Sequence, residues 1–538
     1  MTGGRTVAKV LKKFGVEHLF TLCGGHIMDI YEGCNEVGIR VIDFRHEQSA
    51  AFAADAYGRL KKIPGVAAVT AGPGVMNAVT AVANSFKAQT PMILIGGQAP
   101  SFFVGKGALQ EMNHTDVLKP ITKWSATVPT VNDISEFLHR AFEISISGVP
   151  GPVFLEMPAD ILFSSSEQPS FREMNIEKPK YHKEKISEIS ELLMKSERPV
   201  LLLGSQALFS PYHTHAKEIC EKIGVPVFLS GMARGALGRD HPLILRFSRK
   251  RSLKEADLVI LAGTPLDFRL DYGRSFGDLT KIIRLDLSAE ELGRNRKGDI
   301  SEECDPLEIL FEVSKKVEGT PKRCEEWIEM LKNEDEKKER ESLKEAELEV
   351  SPVNPVKFSK IIDELLPENS IIIGDGGDIV GTAAYFVKPS FSGGWLDPGP
   401  LGTLGVGAPF AIAAKLARPD CDVFVIFGDG SFGFNCMEYD SAVRHKIGFV
   451  GIIGNDAGWT QIKRAQVPMY GKATATELDW TRYDKLVEAL GGYGEYVEKP
   501  QDMKSALLRC LEKSRQSIPT VLNVKIGETQ FRKGSISM

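Results

Sequence analysis

The chain carries little that would commit it to a special environment. Its eight cysteines are scattered and form no CxxC pair, which argues against a disulfide framework or a zinc site and for reduced thiols. No run of 18 apolar residues is free of charge, and the N-terminus shows no signal-peptide pattern, so neither a membrane span nor a secretory leader is expected. A formal charge of only −5, from 66 basic and 71 acidic residues, gives no electrostatic footprint for nucleic acid or an anionic membrane. The final residues, Ser535-Ile536-Ser537-Met538, are not the Ser-Lys-Leu peroxisomal address. A soluble cytoplasmic protein is the expectation.

What is present is a globular composition, 43% apolar and 25% charged over 538 residues, enough for about three domains. Residues 1–165 alternate short apolar runs with helical patterns. Strands are expected at His18–Leu22, Arg40–Asp43, Val66–Thr70, Met92–Gly96 and Val153–Glu156. Such alternation predicts a parallel sheet with helices on both faces. A charged stretch from Ser164 to Lys185 reads as a linker. A second unit, residues 185–345, has expected strands at Val200–Gly204, Val227–Ser230, Leu258–Ala262 and Lys281–Asp286, and a charged helix follows from Glu325 to Glu349. The pattern resumes over residues 351–538. The fold class is therefore α/β, with three doubly wound parallel-sheet domains.

The most informative stretch is residues 423–463, VFVIFGDGSFGFNCMEYDSAVRHKIGFVGIIGNDAGWTQIK. It reads as a buried strand, a Gly-Asp-Gly turn, a helix, a second buried strand and then Asn455-Asp456. Parallel neighbours joined by a crossover helix put both turns at the carboxyl edge of the sheet, where α/β proteins bind ligands. Asp429 and Asp456, 27 positions apart, would meet there. A carboxylate at each strand end suits Mg²⁺ bridging two phosphates, and Gly428 and Gly430 let backbone N–H groups approach them. Alone, a Gly-Asp-Gly triplet is only a turn.

Other strand ends carry Cys23-Gly24-Gly25-His26, Arg45-His46-Glu47 and Ala71-Gly72-Pro73-Gly74 with Asn77. Glu47 opens a helix, Gln48–Leu60, whose small face (Ala50, Ala51, Ala53, Ala54) permits close packing; by itself it is also an ordinary helix-start carboxylate. Gln110 and Glu111 fall in a polar loop after the fourth strand, and His26 and His114 on loops where each could move protons or simply be solvated. Asp375-Gly376-Gly377-Asp378 ends a strand, with a diphosphate contact or a plain helix cap as the alternatives. In the second unit Asp286 could hold a ribose or adenine, and Arg234 and Arg269 phosphates; surface salt bridges are the alternative.

These motifs in this order resemble the thiamine diphosphate (ThDP) enzymes of the acetolactate synthase and 2-hydroxyacyl-CoA lyase superfamily. RHEQSAAFAADAYGRL followed by VTAGPGVMN looks like its pyrimidine-binding domain, and residues 423–463 like its diphosphate and Mg²⁺ motif. The resemblance spans the whole chain: pyrimidine domain, central domain, diphosphate domain. It implies Asp429, Asp456 and the carbonyl of Gly458 as metal ligands; most members have Asn-Asn where this chain has Asn455-Asp456. It implies Glu47 as the acid that activates the aminopyrimidine ring, so that the cofactor's own imine removes the thiazolium C2 proton. The implied cofactor-binding set is Gly25, Glu47, Gly72, Asn77, Gly377, Asp378, Gly402, Leu404, Gly428, Asp429, Gly430, Ser431 and Asp456. Within it the Gly402 carbonyl would accept from the 4′-amino group and Leu404 would wedge the cofactor into a bent shape. Glu47, Gln110 and His26 are the implied catalytic residues.

GMARGALGRDHPL, DFRLDYGRSF and GWLDPGPLGTLGVG resemble the acetolactate-synthase-like branch that includes the second type of 2-hydroxyacyl-CoA lyase. The implied reaction cleaves a 2-hydroxyacyl-CoA to formyl-CoA and an aldehyde or ketone, or runs backwards as an acyloin condensation. The alternative within the class is an acetolactate synthase that joins two pyruvates and carries FAD. GKGALQE lacks the Phe that usually precedes the Gln-Glu pair in those enzymes. A non-catalytic scaffold of the same fold is the alternative outside it. The central domain would bind FAD, an ADP or CoA moiety, or nothing. An acyl-CoA or 2-oxo acid substrate and a homodimer or homotetramer are implied. Whether Phe531-Arg532-Lys533 closes over the site is left open.

Overall fold

The computed structural model describes residues 1–165, 167–176, 179–317, 324–348, 352–529 and 531. Its named strands form three sheets in which every pairing is parallel. The first sheet contains β1 (His18–Thr21), β2 (Arg40–Asp43), β3 (Gly65–Val69), β4 (Met92–Gln98), β5 (Trp124–Thr127) and β6 (Pro152–Pro158), in the order 2-1-3-4-6-5. The second contains β7 (Pro199–Leu203), β8 (Val227–Leu229), β9 (Leu258–Ala262), β10 (Lys281–Asp286) and β11 (Ile300–Glu303), in the order 11-10-9-7-8. The third contains β12 (Ser370–Asp375), β13 (Trp395–Leu396), β14 (Asp422–Gly428), β15 (Val450–Asn455), β16 (Tyr493–Val497) and β17 (Thr520–Lys525), in the order 13-12-14-15-17-16. Renumbered within its own domain, the third sheet has the strand order of the first. Both reverse direction of winding between their first and third strands, which is where such sheets open a ligand crevice.

Continuous apolar runs make the central strands. β3, β4, β7 and β9 are buried at every residue, as expected for strands covered by helices on both faces. The edge strands differ. β5, Trp-Ser-Ala-Thr, and β16, Tyr-Gly-Glu-Tyr-Val, are largely half-buried, and neither was expected from the sequence.

The helix Glu47–Lys61 joins the first and third domains. It is buried along almost its whole length, polar Ser49, Asp55 and Arg59 included, and its alanines lie against the helix Gly407–Ala417 of the third domain. Phe52 and Phe410 meet edge to face at 6.2 Å, and one apolar core runs through both domains. Inside it, Arg59 (1% exposed) grips Asp55 (0%) through two 2.8 Å bonds. Asn84 and Thr90 donate to the same carboxylate, and Arg59 Nη1 donates to the Asp397 carbonyl at 2.6 Å. Both charges are matched, while the Asn84 Oδ1 is buried without a partner. Arg59→Met leaves Asp55 buried without its cation, which costs about 3–5 kcal/mol; denaturant unfolding measures it, with Arg59→Lys falling between the two.

Candidate active site

β14 and β15 pair with Gly428 opposite Gly454. Asp429 and Asp456 therefore leave neighbouring strands one and two residues beyond that pair, at the same edge. Asp429 is 1% exposed; its oxygens accept N–H bonds from Gly430 at 2.9 Å and Gly458 at 3.1 Å. Burial, and after it the charge of Asp456, push the Asp429 carboxyl up, and burial raises Asp456 as well. Two like charges facing each other out of water call for a cation. No group of three or more His, Cys, Asp or Glu that could hold a metal occurs among the described residues, so further donors would be backbone or ligand oxygens. Hard oxygen donors with one or two carboxylates fit Mg²⁺ bound together with phosphates. Gly458, the third implied ligand, lies against the pair.

Two glycines are required here. Gly376 has φ +147°, and a Cβ on it would stand 2.8 Å from the Gly428 nitrogen; a Cβ on Gly430 would enter the Trp459 indole at 2.6 Å. Gly377, Gly428, Gly430, Gly402 and Leu404 line the same crevice, of about 720 Å³, with Phe268 and Tyr272 of the central domain at its side. Three non-glycine residues around it, Ala457, Asp271 and Tyr272, hold left-handed φ values of +50° to +55°. Such strain collects at functional sites. Ser431 and Asp378 line the crevice too. The Ser431 hydroxyl donates inward to the carbonyls of Asp375 and Gly428. The Asp378 carboxylate is held by Arg464, with Nη2 at 2.6 Å.

Asp375, the first residue of the Asp-Gly-Gly-Asp strand end, anchors the loop that follows β13. Fully buried, it accepts the N–H groups of Gly405 at 3.0 Å and Gly407 at 2.7 Å, and burial pushes it up to about 7.

A second group of implied residues gathers at the carboxyl edge of the first sheet. Glu47, 7% exposed, accepts a 2.9 Å bond from Asn77 Nδ2. Gln110, at φ +62°, has its backbone packed on Gly72. His26 Nδ1 lies 2.8 Å from Thr70 Oγ1, and burial lowers its pKa. Gly25 is exposed beside it. His114 corrects the expectation of a solvated loop residue. It is fully buried, its Nε2 accepts from Gly72 N–H at 2.8 Å, and its Nδ1 lies 2.7 Å from Glu156 Oε1. That bond makes Nε2 the unprotonated nitrogen and Nδ1–H the donor to Glu156. Glu111 closes its own loop, accepting from Gly105 and Ala108. None of Glu47, Asn77, Gln110 or His26 lines the crevice of Asp429. One chain presents two separate half-sites.

Family models match the chain in the same arrangement. Residues 1–117 match the N-terminal TPP binding domain of thiamine pyrophosphate enzymes, 186–312 their central domain and 375–524 their C-terminal TPP binding domain. A 2-hydroxyacyl-CoA lyase 2 from Caenorhabditis elegans is 41% identical across all of this chain and 91% of its own length. The human 2-hydroxyacyl-CoA lyase 2 is also 41% identical, over 100% of this chain and 92% of its own. The chain belongs to the thiamine pyrophosphate enzyme family. Acetolactate synthases lie further off within it: the large subunit IlvG of Mycobacterium tuberculosis is 35% identical over 97% of this chain and 95% of its own.

In this thiamine pyrophosphate enzyme a second cleft, of about 460 Å³, has walls from all three domains. It runs into the crevice through Gly376, Gly377, Gly402, Phe268 and Gln461, which line both. Arg234 lies over the Trp395 ring at 4.7 Å, and Arg249 stands beside it in the wall. An adjoining cavity of about 660 Å³ adds Arg246 and Lys250. None of these four cations has a carboxylate within 4.0 Å among the described residues; Arg269 does, pairing with Asp267 at 2.6 Å. Asp286 lines neither cavity: its Oδ1 is taken by Gln206 and the Ser288 N–H, both at 2.8 Å. Phe531 packs on Tyr385 and Phe386, while Arg532 and Lys533 lie outside the described residues. Gly376→Ala, strained in φ and colliding with backbone, is expected to weaken ThDP binding at least tenfold while the far-ultraviolet circular dichroism stays native; calorimetric titration checks it.

Proposed function

We propose that the chain is a ThDP- and Mg²⁺-dependent carbon–carbon lyase acting on 2-hydroxyacyl-CoA thioesters. The observation that carries the reading is full-length similarity to proteins named 2-hydroxyacyl-CoA lyase 2, joined to a cleft beside the crevice in whose wall Arg234 and Arg249 have no carboxylate partner among the described residues. A CoA ester brings phosphates to such a wall; pyruvate does not. The C1–C2 bond of the substrate breaks, the C2 hydroxyl loses its proton as an aldehyde or ketone forms, and C1 gains a proton to leave as formyl-CoA. FAD, the other candidate for the central cleft, also carries a diphosphate and belongs to the acetolactate synthase alternative.

The cofactor, when bound, supplies a carbon nucleophile and an electron sink that amino acids lack. Asp429 and Asp456, with the Gly458 carbonyl, would hold Mg²⁺, and the N–H groups around Gly377, Gly428 and Gly430 would meet the diphosphate. Gly402 and Leu404 would lie beside the rings. Glu47, oriented by Asn77, would hold the proton shared with the aminopyrimidine. Gln110 and His26 stand beside it for the substrate, and Thr70 on Nδ1 leaves His26 Nε2 for the substrate oxygen.

Glu47 and Asp429 do not share a crevice within one chain, so we read the active unit as at least a homodimer, each Glu47 facing a partner's Asp429. The edge that would be covered carries Phe102, Phe103 and Leu109, each about half exposed or more. An apolar edge of this kind marks an interaction surface.

Three results test the reading. Purified protein with ThDP, Mg²⁺ and a 2-hydroxyacyl-CoA is expected to release formyl-CoA and the shortened carbonyl compound; acetolactate from pyruvate, with a yellow flavin bound, would replace the lyase by the synthase. EDTA is expected to abolish turnover, and Mg²⁺ with ThDP to restore it. Glu47→Gln should fold normally and lose turnover by about 100-fold or more, the scale of general acid–base contributions.

A further inference from the structure

The turn that delivers Glu47 is shaped by the other end of the chain. Between β2 and the helix Glu47–Lys61, the residues Phe44 to His46 make an irregular connection. The first helical turn is capped only by His46, whose Nδ1 accepts from Gln48 N–H at 3.1 Å. The Arg45 N–H, two residues before Glu47, points into the third domain. There it donates to both oxygens of Glu438, at 3.2 and 3.1 Å. Glu438 is 1% exposed and starts the helix Glu438–His445. The same carboxylate accepts a 2.7 Å bond from Ser441 Oγ, which fixes its rotamer. Further along that helix, Arg444 reaches Asp43 at 2.6 Å and His445 Nε2 lies 2.8 Å from Asp43 Oδ1. The Arg40 guanidinium donates to the His445 carbonyl at 2.7 Å. Arg40, Asp43 and the Arg45 N–H are thus all held by residues 438–445.

A buried carboxylate shared between one backbone N–H and a serine of its own helix is an expensive fixture for a surface turn. It is a sensible one for a catalytic residue, because misplacing a reacting group by about 1 Å costs on the order of 100-fold in rate. Glu47 receives a side-chain bond from Asn77, which orients its carboxylate, but Asn77 does not set where the helix begins. The far end of the helix is held by Arg59 on the Asp397 carbonyl. Glu438 holds the near end.

We infer that Glu438 is a positioning residue for Glu47, fixing the start of its helix through the Arg45 N–H so that the carboxylate meets the cofactor's pyrimidine ring in register. The inference rests on Glu47 being the activating carboxylate. It assigns Glu438 no contact with cofactor or substrate.

The test compares Glu438→Ala, Glu438→Gln and Glu47→Gln in the full-length protein. One readout uses cofactor-free protein: amide hydrogen exchange of the segment 43–49, followed by mass spectrometry. The other is the rate of deuterium exchange at the thiazolium C2 of bound ThDP, with ThDP affinity measured alongside. Glu438→Ala is expected to speed amide exchange in that segment at least tenfold and to slow C2 exchange at least tenfold, with ThDP affinity kept within about threefold. Glu438→Gln, which retains an acceptor for Arg45, is expected to recover most of both. Should Glu438→Ala fail to fold, Glu438→Asp, which withdraws the acceptor by one methylene, serves in its place with the same expectations. Wild-type C2 exchange in a folded Glu438→Ala or Glu438→Asp protein, where Glu47→Gln has lost it, overturns the positioning role. Wild-type C2 exchange in Glu47→Gln overturns instead the activating role of Glu47 on which it rests.

Discussion

The close contact between the helices Glu47–Lys61 and Gly407–Ala417 is the constraint on which the rest of the arrangement depends. Alanines on both sides bring the two backbones near enough for a single core to run through two domains. Once that contact exists, the two sheet edges are fixed relative to each other, and each carries one of the two groups of implied site residues. The Arg59–Asp55 pair belongs to this contact, with Arg59 over the Phe410 ring at 4.9 Å, and its extra bond to the Asp397 carbonyl ties the start of the loop after β13 to the first domain. Asp375 ties the end of the same loop to the third. The loop bearing Gly402 and Leu404 is therefore pinned at both ends by buried charges.

A good part of this was legible beforehand. Strands buried on both faces announce themselves as unbroken apolar runs, and crossover helices between them force the turns to one edge. That reasoning located Asp429, Asp456 and Glu47 at strand ends from spacing alone, and the family resemblance carried their roles. The edge strands β5 and β16 escaped notice because half-buried Ser, Thr, Gly and Glu residues read as loop. The two-residue β13 lies in a stretch too rich in glycine to suggest a strand.

The contacts that went unforeseen at the site have a common cause. His114, Glu156, Asp375 and Glu438 act through partners 30 to 393 residues away, such as Gly72, Gly405 or Arg45. Local sequence carries no sign of a bond at that separation. The left-handed residues Ala457 and Tyr272 were equally silent, since glycine, asparagine and aspartate are the residues that advertise that conformation. His114 shows the cost: a histidine in a loop-like stretch reads as solvated, whereas its ring lies beneath the Gly72 turn and holds it.

The first and third sheets share one winding order, 2-1-3-4-6-5, although their sequences show no detectable repeat. A single scaffold thus serves twice in each polypeptide, and the division of labour between its two versions resides in short loops at one rim. Those loops sit outside the hydrogen-bonded ladders and the apolar layers beneath them. Substrate preference in this architecture can consequently drift by replacing rim residues while both cores stay untouched, which accounts for lyases and synthases coexisting among relatives that align over nearly their whole length.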